Sequence, residues 1–200
     1  MKTFNRIAVA VALCALAGAA QAQGRGQAQT HDGFYLQLDL GGGFLKSSLE
    51  DFDIDLEGGA GQFGIALGAA VTPNFIVAGH LWGATVSDPD VSTPIGSGQA
   101  DGTLTLSGIG VQLTYYFMPA NVYVQATPSM TTLTADDGSN SSSTDNGFGM
   151  RLAVGKEWWV SHNWALGLNA QAAFASNNDG GVPADWQTTW FGVAFSATYN

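Results

Sequence analysis

Four charged side chains stand inside segments that are otherwise apolar or small. They are the first places where chemistry could occur. Asp39 lies between Leu38 and Leu40, Arg151 lies between Met150 and Leu152, and Lys156 and Glu157 follow in the same segment. A charge set among apolar neighbours is costly alone and tolerable when paired. Arg151 is therefore expected to pair with Asp39 or Glu157. Three histidines are candidate bases or ligands: His31, His80 and His162. His31 falls in a polar N-terminal stretch and His162 in a short turn. His80 stands in mid-segment beside Trp82. A nucleophile–base set needs a hydroxyl and a carboxylate placed around such a histidine, and the sequence assembles none, so no catalytic residue is assigned.

The acids Glu50, Asp51, Asp53, Asp55 and Glu57 form the densest charged group. Asp51-x-Asp53-x-Asp55 opens like a calcium loop, but Leu56 stands where Gly is needed and Gln62 where a terminal Glu is needed. The alternating Phe52, Ile54 and Leu56 suggest a strand extension with one solvated acidic face. Asp88, Asp90, Asp136 and Asp137 read as loop acids and turn formers. Gly41-Gly42-Gly43 and Gly58-Gly59 precede neither a helix nor a Lys-Ser/Thr pair, so they are not phosphate loops. No metal and no cofactor are expected.

The elements that must position these residues are strands. Phe191, Val193, Phe195, Ala197 and Tyr199 share one phase of a two-residue period, and Trp190, Gly192, Ala194, Ser196 and Thr198 share the other. Successive strand residues point to opposite sides, so the sheet has one apolar side and one small or polar side. Eight such segments are legible: 33–46, 58–71, 74–87, 103–118, 122–135, 147–160, 164–177 and 188–199. Their phase sends Asp39, His80, Arg151 and Glu157 to the polar side, with Gln37, Gln62, Gln112, Thr114, Gln125, Asn169 and Gln171. Lys156 falls in the apolar phase near a turn, where it can snorkel. Gly64, Gly68, Gly108, Gly110 and Gly167 keep the polar side small, which allows either a narrow wet cavity or tight packing.

The first residues belong to another function. Lys2 and Arg6 precede an apolar run from Ile7 to Ala20, followed by the A-x-A site Ala20-Gln21-Ala22. This is the pattern of a secretory signal peptide over residues 1–22, with residues 23–32 a flexible lead and 33–200 the folded domain. The run is too short for a comfortable transmembrane helix. Beyond it the chain holds no cysteine, which excludes a disulfide-stapled scaffold. Removing Lys2 and Arg6 leaves 4 basic residues against 16 acidic ones, a net charge of −12. Nucleic acid is thereby excluded as a partner, because almost nothing is present to neutralise phosphates.

The connections alternate in length. Residues 72–73, 119–121 and 161–163 are short, whereas 47–57, 88–102, 136–146 and 178–187 are long. Short turns at one end, long loops at the other and an even strand count are features of transmembrane β-barrels. A soluble β-sandwich, the structural alternative, has no reason to alternate so regularly. Phe75, Tyr115, Tyr116, Phe117, Tyr123, Trp158, Trp159, Trp164 and Tyr199 lie beside the short turns, and Phe44, Trp186 and Trp190 nearer the long loops. They are expected to form two interfacial girdles.

With these features the chain resembles the small outer-membrane β-barrel family that includes the OmpA transmembrane domain and the OmpX type, over 33–200. The resemblance implies an all-β, eight-stranded antiparallel up-and-down barrel in a bacterial outer membrane, with both termini and the short turns in the periplasm. It also implies that the barrel-assembly machinery reads the last strand. Gly192, Phe195, Ala197 and Tyr199 look like that signal, although the aromatic is penultimate, before Asn200. No peptidoglycan-binding domain is expected after Tyr199. The His-x-Ser pair of outer-membrane lipid A deacylases is missing, and the paired Asp and His sites of omptin-type proteases cannot be assembled.

The functional expectation is a non-enzymatic, monomeric barrel. Its partners are outer-membrane lipid and lipopolysaccharide, with which its acidic loops could share divalent cations, and its role is structural or one of surface interaction. A narrow, OmpW-like channel for small or hydrophobic solutes is the alternative, followed by a membrane-embedded lipid-modifying enzyme.

Overall fold

The computed structural model describes residues 31–49, 52–178 and 184–200. The signal-peptide segment, most of the lead, and Glu50 and Asp51 lie outside the described residues. Within them the chain forms eleven strands: β1 (Phe34–Leu49), β2 (Ile54–Thr72), β3 (Phe75–Ser87), β4 (Asp90–Thr93), β5 (Gly96–Gln99), β6 (Thr103–Phe117), β7 (Val122–Asp136), β8 (Ser141–Ser143), β9 (Gly147–Trp159), β10 (Trp164–Asn178) and β11 (Asp185–Tyr199). Eight of them, all but β4, β5 and β8, make the barrel wall, each hydrogen-bonded to its neighbours in the order of the chain. The wall closes where β1 meets β11, from Leu36↔Tyr199 to Leu49↔Trp186. Every pairing is antiparallel, and closure leaves the wall no unpaired edge to face hydrocarbon.

Side-chain exposure is inverted relative to a soluble protein. Leu40 and Phe195 are each 69 % exposed and Val193 65 %, whereas Arg151 is 2 % exposed. Apolar side chains on the outside and polar ones within suit a lipid solvent, and this disposes of the sandwich alternative. Alternation fixes the sides: β1 turns Tyr35, Gln37, Asp39 and Leu45 inward and Phe34, Leu38, Leu40 and Phe44 outward.

The strands depart from the expected bounds mainly at the long-loop end. β1 and β2 continue to Leu49 and Ile54, which pair with each other, and Asp53 just before β2 has φ 49°. The extension is stitched by Lys46, whose ammonium lies 2.7 Å from Asp55 and 3.8 Å from Glu57. The 88–102 loop folds as the β4–β5 hairpin, and β8 pairs with the end of β7.

The two girdles need correction. Tyr115, Phe117, Trp158 and Trp164 point outward as expected. Tyr116 and Tyr123 are fully buried in the lumen, Trp159 turns inward against His31, and Trp190 and Trp186 pack in the interior. The reason is the two-residue period: in Tyr115-Tyr116-Phe117 and Trp158-Trp159, neighbouring rings must face opposite sides.

Candidate functional site

Asp39 sits on β1 opposite Gly64 of β2 and Ser196 of β11. His80 reaches the same level from β3 and Arg151 from β9, where Arg151 is flanked by Thr127 and Ala173. Alternation points all three inward. The Arg151 Nη2 lies 3.3 Å from Asp39 Oδ2, and its Nη1 lies 3.2 Å from His80 Nε2. Asn169 donates from Nδ2 to Asp39 Oδ1 at 3.2 Å, so both carboxylate oxygens are engaged. The same amide lies 3.0 Å from the Tyr123 hydroxyl, and Gln171 donates to Asn169 Oδ1 at 2.5 Å. A glycine makes the room: a Cβ on Gly64 would stand 2.9 Å from His80 Nε2 and 3.3 Å from Asp39 Oδ2.

Beyond this polar layer, toward the long loops, Leu45, Trp82, Ala84, Leu104, Leu106, Leu133 and Trp190 form an apolar cluster in the lumen. Trp82 lies over Gly108, where a Cβ would come within 2.6 Å of the indole, and its Nε1 donates to Ser129 at 3.0 Å. Toward the short turns a second cluster gathers Tyr35, Ala66, Ile76, Tyr116 and Tyr123. Glu157 belongs to this end. Thr198 donates to its Oε1 at 2.6 Å and Tyr116 to its Oε2 at 3.2 Å. Of the two acids open to Arg151 from sequence, Asp39 is the one beside it.

His31, expected in the flexible lead, packs instead against the short-turn end of the barrel. Its ring is fully buried, stacked on Tyr116 at 3.6 Å between centroids, with Nε2 3.0 Å from Asn121 Oδ1. Burial pushes its pKa below the ordinary 6.5, opposed in part by the hydrogen bond to Asn121. A polar stretch read from composition gave no sign of this, because the partner surface is made by β6, the β6–β7 turn and β9.

The arrangement stores charge and fills volume. The Arg151 guanidinium can only donate, and its Nη1 lies 3.2 Å from His80 Nε2 and 3.4 Å from Nδ1. Thr127 Oγ1 is 3.5 Å from His80 Nδ1, but His80 is 1 % exposed and Thr127 equally buried. His162 lies exposed in its turn and Lys156 binds the Ala120 carbonyl at 2.6 Å. In the last strand, Phe195 faces outward, whereas Gly192 faces inward against the Trp190 ring. Gly64 and Asn169 share the inward phase of the charges, and Tyr123 joins them from the expected girdle, but the height at which each meets the layer depends on register, which the two-residue period does not give.

A family model described as the outer membrane protein beta-barrel domain matches residues 8–198. Among solved structures, Neisserial surface protein A (NspA) is similar in fold, with a TM-score of 0.56 and 16 % identity, over 83 % of this chain and 96 % of that one. The Yersinia pestis attachment invasion locus protein Ail aligns with a TM-score of 0.48 and 11 % identity, over 82 % of this chain and 99 % of that one. OprG from Pseudomonas aeruginosa aligns with a TM-score of 0.48 and 14 % identity, over 87 % of this chain and 100 % of that one. No curated protein sequence matches the chain.

Proposed function

The chain belongs to the outer membrane protein beta-barrel domain family, and from that premise we propose that it is a plugged, non-enzymatic integral barrel whose role is carried by the loops outside it. The observation that carries this reading is the filled interior. The plug around Trp82 and Trp190, the Asp39–Arg151–His80 layer and the Tyr35–Tyr116–Tyr123 cluster capped by His31 follow one another along the lumen. In this reading residues 1–22 direct export, the short turns face the periplasm, and the acidic loops face outward. The assembly machinery reads Phe195, Ala197 and Tyr199 on the outer face of β11, with Gly192 in the same strand. Planar-bilayer recording tests it: a silent membrane is expected, and steady single-channel steps would overturn it.

A second reading, a narrow channel, draws on one observation. Gln62, Gln125 and Gln171 are buried in the lumen, and each has an amide atom without a protein partner. Buried amides left this way attract water and would line a polar path if the two plugs opened. The same recording separates the readings.

A further inference from the structure

The short-turn mouth holds a ring delivered from outside the wall. His31 is joined to β1 through Asp32 and Gly33 and lies in no strand. Its partners stand on the far side of the barrel. Tyr116 lies near the end of β6, Asn121 in the β6–β7 turn and Trp159 at the end of β9. β7, between them, is four strands from β1 in either direction around the wall. Gly33 makes the hinge. Its φ is 67°, a conformation that favours glycine, and its carbonyl accepts from the Ala70 amide at 2.9 Å.

The walls of this site are set without His31. The Asn121 carbonyl accepts from the Glu157 amide at 3.0 Å, and Asn121 Nδ2 donates to the Glu157 carbonyl at 3.4 Å. These bonds aim Asn121 Oδ1 at the imidazole. The Tyr116 hydroxyl donates to Glu157 Oε2 at 3.2 Å, and its backbone amide donates to the Asn74 carbonyl at 2.8 Å. His31 meets these walls as a ligand would. Its face stacks on Tyr116 at 3.6 Å with 24° between the planes, and the Trp159 ring flanks it at 5.2 Å. Its Nε2 lies 3.0 Å from Asn121 Oδ1, and an amide oxygen only accepts, so the ring donates there. The fit is incomplete. His31 Nδ1 and Trp159 Nε1 are both withdrawn from water, and neither has a partner among the described residues. Buried polar groups are normally paired, so the site contains a donor, the Trp159 indole N–H, that the imidazole does not use.

We propose that the short-turn mouth is a binding site for a small planar nitrogen heterocycle and that His31 occupies it in cis. A free ring enters by stacking on Tyr116 and donating to Asn121 Oδ1, and one that carries a second acceptor also engages the Trp159 indole. The short tether keeps the effective concentration of the His31 ring in roughly the millimolar range. A ligand must displace it, so binding and release of the N-terminal segment are one event. The inference goes beyond the plugged-lumen reading and holds whether or not the lumen conducts.

The test uses the full barrel in lipid nanodiscs at pH 8, labelled with fluorotryptophan, with the Trp159 resonance assigned through Trp159→Phe. His31→Ala should shift that resonance while heat-modifiable migration shows an intact barrel. Imidazole should then return it toward its wild-type position along a saturable curve. 1-Methylimidazole keeps the ring and loses the N–H, and should bind about tenfold more weakly. Adding Asn121→Gly, which suits the left-handed backbone there (φ 51°), should remove that discrimination. In the wild-type barrel, whose fold is intact by construction, saturating imidazole should quicken proteolysis of the N-terminal lead by displacing His31. A linear, unsaturable response in His31→Ala, equal affinity for the two rings, or lead proteolysis indifferent to imidazole would overturn the proposal and leave His31 a structural cap. Planar-bilayer conductance stands apart from these readouts. A conducting barrel that binds imidazole defeats only the plugged-lumen reading, and a silent one that ignores it defeats only this inference.

Discussion

Arg151 and Asp39 meet at 3.3 Å from strands that are not neighbours, β9 and β1, with both side chains almost wholly withdrawn from solvent. The pair ties one part of the wall to another across the lumen. Breaking a buried pair by removing one member costs about 3–5 kcal/mol, because the other charge stays buried and uncompensated. Arg151→Met is expected to lower the unfolding free energy of the detergent-folded barrel by that order, read as a lower urea midpoint. Adding Asp39→Asn should recover part of the loss, since it removes the stranded charge. An unchanged midpoint in Arg151→Met would show that the pair stabilises nothing.

Gly64 is the floor of the same layer. A methyl there would stand 2.9 Å from His80 Nε2 and 3.3 Å from Asp39 Oδ2. Overpacking of this kind costs about 1–3 kcal/mol, so Gly64→Ala should destabilise the barrel. His80→Ala in the same chain should relieve the clash, giving a non-additive double-mutant cycle.

The Trp82 indole combines packing with one hydrogen bond, to Ser129 at 3.0 Å. Trp82→Phe keeps most of the plug and loses the donor, for an expected cost of about 1 kcal/mol. Trp82→Ala also opens the plug, for about 3–5 kcal/mol. Thermal unfolding of the two variants side by side separates the terms. Conductance appearing in Trp82→Ala alone would identify the plug as the barrier.

His31 gives the short-turn mouth a pH dependence. Its folded pKa is depressed by burial, so below the ordinary value of 6.5 the released residue binds more protons than the docked one. The anchoring contribution is therefore complete above that value and declines as pH falls through and below it. Trp159, whose ring lies 5.2 Å from His31, should report release as a change in emission between pH 8 and pH 5. Proteolysis of the N-terminal lead should quicken over the same range. His31→Gln should remove both dependences.

The Lys46 bridge to Asp55 supplies the contrast. Its partners are 44 % and 37 % exposed, and ion pairs in that setting contribute about 0–1 kcal/mol. Lys46→Ala should leave thermal stability nearly unchanged, with any effect disappearing at high salt.

Sequence alone settled much of this molecule, and the reason is geometric. A two-residue period assigns every strand residue to a side without knowledge of its neighbours, so the inward placement of Asp39, His80, Arg151 and Glu157 could be read directly. Loop lengths fixed the strand count and the two ends. What the period leaves open is height along the barrel axis, which depends on the register of each pairing. Only the closed wall shows that Arg151 stands level with Asp39 and His80 while Glu157 lies among Tyr116 and Thr198. Register also places Gly64 under His80 and Gly108 under Trp82. His31 and the β4–β5 hairpin were beyond the pattern for a different reason: neither lies in a wall strand, and each acquires its surroundings from segments distant in sequence. Tertiary structure decided those contacts, because burial at a mouth or exposure at a rim is a property of the assembled barrel.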